Sequence, residues 1–233
     1  MASTAHQPDL DALRERLARS CGALKVFPLP GVVVLPGTST PFHVFESRYR
    51  AMLADALAGD RMLAVATLAS EEGATQDRAP VQPIAGAGFV EAEERLPSGR
   101  SDIVVRGVAR VRLVAELDNG KPYREFRAEL LEDVYPAGGP EALAAGRTAL
   151  ETCVLQLAEV LPPESGAGEL ARSAARTTSP SALADLVAAA VVSDPAQRIA
   201  VIEELDVGRR LDLVTADVAS VVLMLSRGRG ARA

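Results

Sequence analysis

The sequence contains very few aromatic residues. Among its 233 residues there are five Phe, three Tyr and no Trp. Proteins that bind single-stranded nucleic acid stack bases on aromatic side chains, and few residues here could serve that purpose. Cysteine and histidine are equally scarce, with two of each. Their scarcity excludes a disulfide framework and a histidine-rich metal site, and it predicts that Cys21 and Cys153 are reduced, structural thiols.

Basic residues are also fewer than acidic residues. Lys and Arg number 25 against 31 Asp and Glu, which gives a net charge of −6. Residues 1–136 carry 16 basic and 19 acidic side chains, and the remainder carries 9 and 12. Because neither part is basic, binding driven by phosphate neutralisation is disfavoured. The amino terminus lacks the basic and apolar regions of a secretory signal, which predicts a cytoplasmic protein without a membrane partner.

The most informative stretch runs from Val26 to Phe45 and carries no charged residue. A membrane-spanning helix is excluded because the stretch contains four prolines, each of which removes a backbone donor. They are Pro28, Pro30, Pro36 and Pro41. The pattern instead predicts short buried strands broken by Pro-Gly turns. The predicted strands are Leu24–Leu29, Val32–Leu35 and Phe42–Phe45.

Helices and further strands are predicted around this stretch. Apolar residues recur at helical spacing in Asp9–Ser20 and Ser47–Ala58. From Ile84 to Tyr135, alternation predicts antiparallel strands with turns at Leu96–Gly99 and Asp118–Gly120. The polar segment 71–80 is predicted to be a surface loop.

Beyond the linker Pro136–Pro140 the pattern is helical. Ser179 and Asp194, each followed by proline, are predicted N-caps, and the last helix carries an apolar seam from Leu211 to Leu225. The sequence therefore predicts three segments: an amino-terminal helix over 1–23, a β-rich subdomain over 24–136 and a helical bundle over 137–233. The predicted fold class is α+β.

Five short motifs occur along the β-rich segment. They are Phe27-Pro28-Leu29, Val34-Leu35-Pro36-Gly37, Val44-Phe45-Glu46-Ser47-Arg48-Tyr49, Leu96-Pro97-Ser98-Gly99-Arg100 and Val105-Arg106-Gly107-Val108-Ala109-Arg110. In that order they resemble the F-P-L, V-L-F-P-G, I-F-E-x-R-Y, L-P-D-G-R and v-x-G-x-x-R motifs of the substrate-binding amino-terminal domain of Lon-type proteases. The second motif lacks the family's aromatic residue. The helical part is similar as well, at Leu183-Ala184-Asp185, Gln197-Arg198, Glu203–Val207 and Arg210-Leu211.

The resemblance implies a PUA-like pseudo-barrel followed by a carboxyl-terminal helical bundle. A complete Lon protease adds an ATPase module and a Ser-Lys peptidase module. This sequence contains no G-x-x-x-x-G-K-[ST] phosphate loop, and its two lysines, Lys25 and Lys121, lie outside anything like the family's peptidase segment. The chain is therefore expected to be a stand-alone, non-catalytic member that needs no cofactor.

No catalytic, cofactor-binding or metal site is predicted. His6 and His43 have no ligand set around them, and His43 is interpreted as structural or half-exposed. Gly86-Ala87-Gly88 lacks the strand–helix context of a nucleotide-binding fingerprint. Glu46, Arg48 and Tyr49 are interpreted as the structural start of a helix, with Tyr49 in the core. The residues that bind substrate cannot be assigned from the sequence.

Two surfaces could bind a partner. Five arginines form a local basic group, interpreted mainly as a solvated strand face: Arg95, Arg100, Arg106, Arg110 and Arg112. The last helix either packs in its own bundle or docks on a partner helix. The hypothesis that follows is a module that captures unfolded or exposed segments of client proteins without ATP, with a protease or chaperone as a further partner. A PUA-like RNA-binding protein is the alternative. The expected state is a monomer or weak dimer.

Overall fold

The computed structural model describes residues 9–70 and 78–230, so the predicted loop at 71–80 lies mostly outside the described residues. Within those ranges the chain forms seven helices: α1 Leu10–Ser20, α2 Ser47–Ala58, α3 Ala144–Val160, α4 Ala167–Arg176, α5 Pro180–Val191, α6 Pro195–Glu203 and α7 Val207–Gly230. The strands are β1 Leu24–Leu29, β2 Ser39–Val44, β3 Met62–Thr67, β4 Ile84–Arg95, β5 Ser101–Glu116 and β6 Arg124–Leu130. Short 3-10 segments cover Gly139–Leu143 and Pro163–Ser165. The order of elements confirms the predicted α+β class, with strands first and a helical part after them.

The chain divides into two compact units, Met1–Leu131 and Glu132–Ala233. The first unit contains a sheet in the order β2-β5-β4-β3-β1-β6. Strand β6 also pairs with β5, so five of the strands close on themselves and β2 extends the sheet from β5. The β1–β3 pair is parallel and the other pairs are antiparallel. The closed part leaves few free strand edges.

Apolar clusters fill the first unit, and a helix contributes to each of two of them. Leu13 and Leu17 of α1 are buried with residues of β1 and β3 in one cluster. In the other, Tyr49, Met52 and Leu53 of α2 pack with Phe27, Val65 and Ile103. The rings of Tyr49 and Phe27 lie 4.8 Å apart. The predicted core position of Tyr49 is confirmed, since 6% of its surface is exposed.

The predicted strand Val32–Leu35 is wrong, because this segment has no regular structure. Val34 and Leu35 are nevertheless buried, at 0% and 2% exposure. Prolines on both sides, Pro30 and Pro36, limit the donors that a strand ladder would need. The segment therefore buries its apolar side chains as an irregular crossing rather than as a strand.

Two helices of the second unit, α5 and α6, begin where the sequence predicts. The hydroxyl of Ser179 accepts a hydrogen bond from the Ala182 amide at 3.3 Å, and the Asp194 carboxylate accepts one from Gln197 at 3.3 Å. Both caps satisfy donors that the first helical turn leaves open. The linker predicted at Pro136–Pro140 leads into the 3-10 segment before α3.

A buried charged group joins α5 and α7. The Arg210 side chain of α7 has 0% exposure and lies against Asp185 of α5 at 3.4 Å. The same guanidinium donates to Asp133, whose carboxylate accepts a hydrogen bond from the Ser181 hydroxyl. A buried charge needs such partners because water is not available to it. Arg210 therefore serves the packing of this unit.

The predicted apolar seam of the last helix is buried in its first half. Leu211, Val214 and Val218 have at most 1% exposure. Farther along, the seam residues Val221 and Leu225 are half-buried, and Leu223 and Met224, which lie off the seam, are exposed at 51% and 66%. The seam therefore packs within the second unit as far as Val218.

Candidate functional site

An exposed surface with apolar and polar rows lies where β2, β5 and the end of β4 run side by side. The strand registers set Pro41 beside Val104 and Val104 beside Ala92. In the next row His43 lies beside Asp102, and Asp102 lies beside Glu94. We call these six residues the outer strand face: Pro41, His43, Ala92, Glu94, Asp102 and Val104.

Strand alternation explains why these side chains share one face. Successive residues of a strand point to opposite sides of the sheet. On the other side, Val44, Ile103 and Val105 are buried against α2 at 0–2% exposure. The outer strand face consequently points to solvent, with five of its residues exposed and Val104 half-buried.

A shallow cavity of about 420 Å³ lies on the outer strand face. Its floor is the apolar row of Pro41, Val104 and Ala92, and its polar side is the row of His43, Asp102 and Glu94. Cavities of this size lie within the range of ligand sites, about 300–1,000 Å³. The arrangement suits a ligand that has apolar groups and a positive charge, since two carboxylates stand beside the apolar row.

Phe45 enlarges this surface at the end of β2. Its side chain is 56% exposed, which is high for a phenylalanine. The ring stacks on His43 with centroids 5.9 Å apart and an angle of 23° between the planes. Nδ1 of His43 lies 2.6 Å from a carboxylate oxygen of Asp102, which fixes the imidazole plane. His43 therefore holds an exposed aromatic ring in place.

Strand β2 pairs with β5, and the order of strands leaves its other side at the edge of the sheet. Pro41 lies in the middle of this edge strand and has no N–H to offer to a neighbour. Proline is one of the features that discourage edge-to-edge pairing between sheets. Backbone pairing of a further strand at the β2 edge is therefore disfavoured.

The structure places the residues of the I-F-E-x-R-Y-like motif at the start of α2. Glu46 occupies the N-cap position, but its side chain makes no capping hydrogen bond. Its carboxylate instead accepts from Arg48 Nε at 3.0 Å. The Arg48 guanidinium also lies 4.7 Å from the centre of the Tyr49 ring. This geometry agrees with the structural interpretation of the three residues.

The basic group predicted from Arg95 to Arg112 is not a single solvated face. Arg110 is buried, with 3% exposure, so the interpretation of this residue as solvated is wrong. The chain that follows β6 covers this position, since the Leu131 amide donates to the Arg110 carbonyl at 3.0 Å. Arg95, Arg100 and Arg112 are exposed and Arg106 is half-buried.

The remaining candidates have no active-site surroundings. Cys21 and Cys153 are half-buried free thiols, and burial raises the pKa of the Cys21 thiol, which lowers its reactivity at neutral pH. His6 lies outside the described residues. Over residues 9–70 and 78–230, no three His, Cys, Asp or Glu side chains converge as metal ligands would. None of the helices in these ranges is both long and apolar enough to cross a membrane.

Sequence reasoning did not find the outer strand face. Pro41 and Val104 are neighbours because β2 pairs with β5. The local sequence of neither segment predicts that pairing. The available signal was Phe45, an aromatic residue directly before the charged start of a helix, where the chain leaves the sheet. Its exposure could not be read from the sequence.

Comparison with solved structures places the fold beside two amino-terminal domains of Lon proteases. The first is the "N terminal domain of Mycobacterium avium complex Lon protease", with a TM-score of 0.68 and 21% identity over 84% of this chain and 98% of that one. The second is from Xanthomonas campestris, with a TM-score of 0.58 and 20% identity over 83% of this chain and 97% of the other. At these identities the likeness shows the fold alone.

Sequence relatives are full-length enzymes. The chain is 32% identical to a Lon protease of Salinispora arenicola over 82% of its own length and 23% of the relative's. It is 30% identical to a Lon protease of Roseiflexus castenholzii over 90% of its own length and 25% of the relative's. The chain thus spans about a quarter of the curated relatives that it matches.

The family match covers both units of the chain. Residues 23–217 match the family described as "ATP-dependent protease La (LON) substrate-binding domain". This range includes every strand, the whole outer strand face and the helices from α2 to the first half of α7. The order of the motifs, the fold and this match agree, and the chain belongs to the Lon substrate-binding domain family.

Proposed function

We propose that this chain is a non-catalytic protein-recognition module that captures unfolded or exposed segments of client polypeptides without ATP. The observation that carries the proposal is the outer strand face with Phe45 beside it. An apolar row, an exposed aromatic ring and a rim of polar groups form the usual anatomy of a protein-binding surface. We also propose that it acts in the cytoplasm, where a protease or chaperone would receive its clients.

The charges of this surface favour a particular kind of client. Asp102 and Glu94 lie next to each other across β5 and β4. Among the described residues, Asp102 is the acid of the polar row with a partner that can carry positive charge, His43, at 2.6 Å. A polypeptide with apolar residues next to Lys or Arg would therefore complement both rows. Unfolded chains expose such combinations, whereas folded proteins bury their apolar residues.

An RNA-binding function is the second candidate, and the fold is what favours it, because PUA-like domains elsewhere bind RNA. Two observations speak against it. Carboxylates on the outer strand face would repel phosphates, and the burial of Arg110 removes one cation from the basic group. We therefore place protein recognition first.

The deciding experiment compares two labelled probes by fluorescence anisotropy. The first is reduced and carbamidomethylated lysozyme, a permanently unfolded basic polypeptide, and the second is a single-stranded RNA. Each is titrated with the purified chain, without ATP, at low and at high salt. Binding of the polypeptide that persists at high salt, with none to the RNA, is the expected result because apolar contacts are not screened.

Binding of RNA alone, with a steep loss of affinity as salt rises, would replace the proposal with the nucleic-acid function. Absence of binding to both probes would also refute capture of unfolded segments.

A further inference from the structure

A second cavity lies on the opposite side of the β4–β5 hairpin from the outer strand face. It has a volume of about 410 Å³ and opens between helix α2 and the tip of the hairpin. Six residues define it here as the α2–hairpin cavity: Ser47, Arg50, Ala54, Leu57, Arg95 and Gly99. Its place on the other side follows from strand alternation, because Arg95 follows Glu94 of the outer strand face. All of it belongs to the first unit.

Two arginines line this cavity, and no described carboxylate pairs with either of them. Neither Arg50 nor Arg95 takes part in an ion pair or side-chain hydrogen bond with any residue in the described ranges. The one acid of the lining is Glu93, whose Oε1 accepts a hydrogen bond from the Ser101 hydroxyl at 2.9 Å. Two cations against one carboxylate leave the cavity with a net positive charge. An anionic group is the ligand that this balance favours.

The Arg50 guanidinium lies against a glycine of the hairpin turn. A Cβ added at Gly99 would lie 2.6 Å from Nη2 of Arg50, so the guanidinium rests directly on the hairpin turn. Gly99 has a φ of +75°, a conformation that side chains disfavour. Because Gly99 has no side chain, the guanidinium has room at the end of the cavity that the hairpin forms. A guanidinium can present two parallel N–H groups to a carboxylate.

One wall of the cavity, on α2, is aliphatic, while Ser47 and Ser101 add hydroxyl groups to the lining. Ala54 and Leu57 follow Arg50 at helical spacing on α2, so they continue the same side of the helix. Ala51 and Leu53 complete this wall. A ligand that uses the whole cavity must therefore combine a carboxylate with an apolar side chain. Inorganic phosphate would use only the arginines, and a Glu or Asp side chain adds no more than a short run of methylene groups to its carboxylate.

We infer that the α2–hairpin cavity binds the free carboxyl terminus of a polypeptide whose last residue is apolar. Arg50 and Arg95 donate to the terminal carboxylate, and the last side chain packs on Ala54 and Leu57. This inference rests on the proposed function, because it names the part of a client that the chain recognises in addition to its exposed apolar segments.

The test uses a short, labelled peptide that ends in Ala-Leu with a free carboxylate. A matched peptide carries a terminal amide, and a third, also amidated, ends in Glu. Fluorescence anisotropy with the full chain should give a dissociation constant at least about tenfold lower for the free acid than for either amide, the loss expected for a charge-assisted contact. Arg50→Gln and Arg95→Gln should each weaken binding of the free acid and leave the amides unchanged. Arg100→Gln, an exposed position of the same hairpin outside the cavity, should change nothing.

Equal affinity for the free acid and its amide would overturn the inference, as would absence of peptide binding. Tight binding of the peptide that ends in amidated Glu would replace the terminal carboxylate with a side-chain carboxylate and overturn it too. Inorganic phosphate that displaces the peptide at an equal concentration would also overturn the inference.

These results are separable from those for the proposed function. If unfolded lysozyme binds while the acid and amide peptides do not differ, the cavity inference alone fails. If the free acid binds and unfolded lysozyme does not, the capture of internal segments fails and the cavity inference stands.

Discussion

The carbonyl oxygen of Val34 lies 1.8 Å from the position that a Cβ would occupy at Gly86. The next carbonyl, that of Leu35, lies 2.1 Å from the corresponding position at Gly107. The irregular segment between Pro30 and Pro36 therefore crosses β4 and β5 at two glycines, where its backbone can approach the strands. Gly86 and Gly107 are therefore needed for this close packing.

Gly86→Ala should lower the free energy of unfolding by at least about 3 kcal/mol, because the contact is with backbone that must move as a whole. Urea denaturation followed by circular dichroism measures the change. The matched control is Gly22→Ala, since an added Cβ there meets nothing within 4 Å. Its effect should stay within about 0.5 kcal/mol. Equal effects of the two substitutions would contradict the close crossing.

Local signals in the sequence predict much of this fold. The N-caps at Ser179 and Asp194 and the hairpin turn at Leu96–Gly99 follow from turn and capping chemistry within a few residues. Such features need no knowledge of distant contacts. Their prediction is reliable because the physical cause is adjacent in the chain.

Features that depend on distant partners were predicted poorly. An apolar run such as Val32–Leu35 has the same pattern whether it pairs as a strand or crosses two strands as an irregular segment. The alternating pattern of β5 predicts a solvated side chain at Arg110. The structure buries it where the chain after β6 passes, since the amide of Leu131, 21 positions later, donates a hydrogen bond to the Arg110 carbonyl. The outer strand face likewise depends on registers between segments that are far apart in the sequence. The resemblance to a family predicts the fold, but it does not predict these contacts.

Phe45→Ser should weaken binding of unfolded lysozyme by about tenfold, as removal of a central aromatic anchor does. The free energy of unfolding should change little, because the ring is 56% exposed. Leu155→Ser on α3 is the control, since Leu155 has the same exposure of 56% but lies in the other unit. It should leave affinity unchanged. A similar loss in both variants would show that exposed apolar area anywhere on the chain is sufficient for binding.

Asp185→Ala should destabilise the second unit by about 3 kcal/mol, since it removes a carboxylate from a fully buried arginine. Asp185 is 1% exposed and lies 3.4 Å from Arg210. Thermal or urea denaturation of the variant measures the loss. Glu169→Ala is the control because its pair with Arg172, at 3.2 Å, has side chains exposed by 84% and 64%. Its effect should be within about 0.5 kcal/mol. A small effect of Asp185→Ala would mean that Asp133 alone compensates Arg210.

A hydrogen bond joins Asp55 and Tyr123, and it shifts the pKa values of both groups. The Tyr123 hydroxyl donates to Asp55 at 2.5 Å, and this hydrogen bond, with the nearby Lys121 charge, lowers the pKa of the Asp55 carboxyl. A carboxyl with a lowered pKa stabilises the fold above its unfolded pKa of 3.8 and loses that contribution as pH falls through the folded value. Tyr123→Phe should therefore raise the pKa of Asp55 in a carboxyl NMR titration. An unchanged pKa would assign the effect to Lys121 alone.

The contact between Tyr123 and Asp55 also changes the pKa of the Tyr123 hydroxyl. Burial, followed by the hydrogen bond to Asp55, raises the pKa of Tyr123 from 10.0 to about 12. Because the folded pKa is the higher one, this group stabilises the fold fully below pH 10 and loses that contribution as pH rises from 10 to about 12. Ultraviolet titration of tyrosinate in the folded chain should show one phenol that ionises near pH 12, and Tyr123→Phe should remove that step. Persistence of the step in the variant would assign it to another tyrosine and contradict the buried contact between Tyr123 and Asp55.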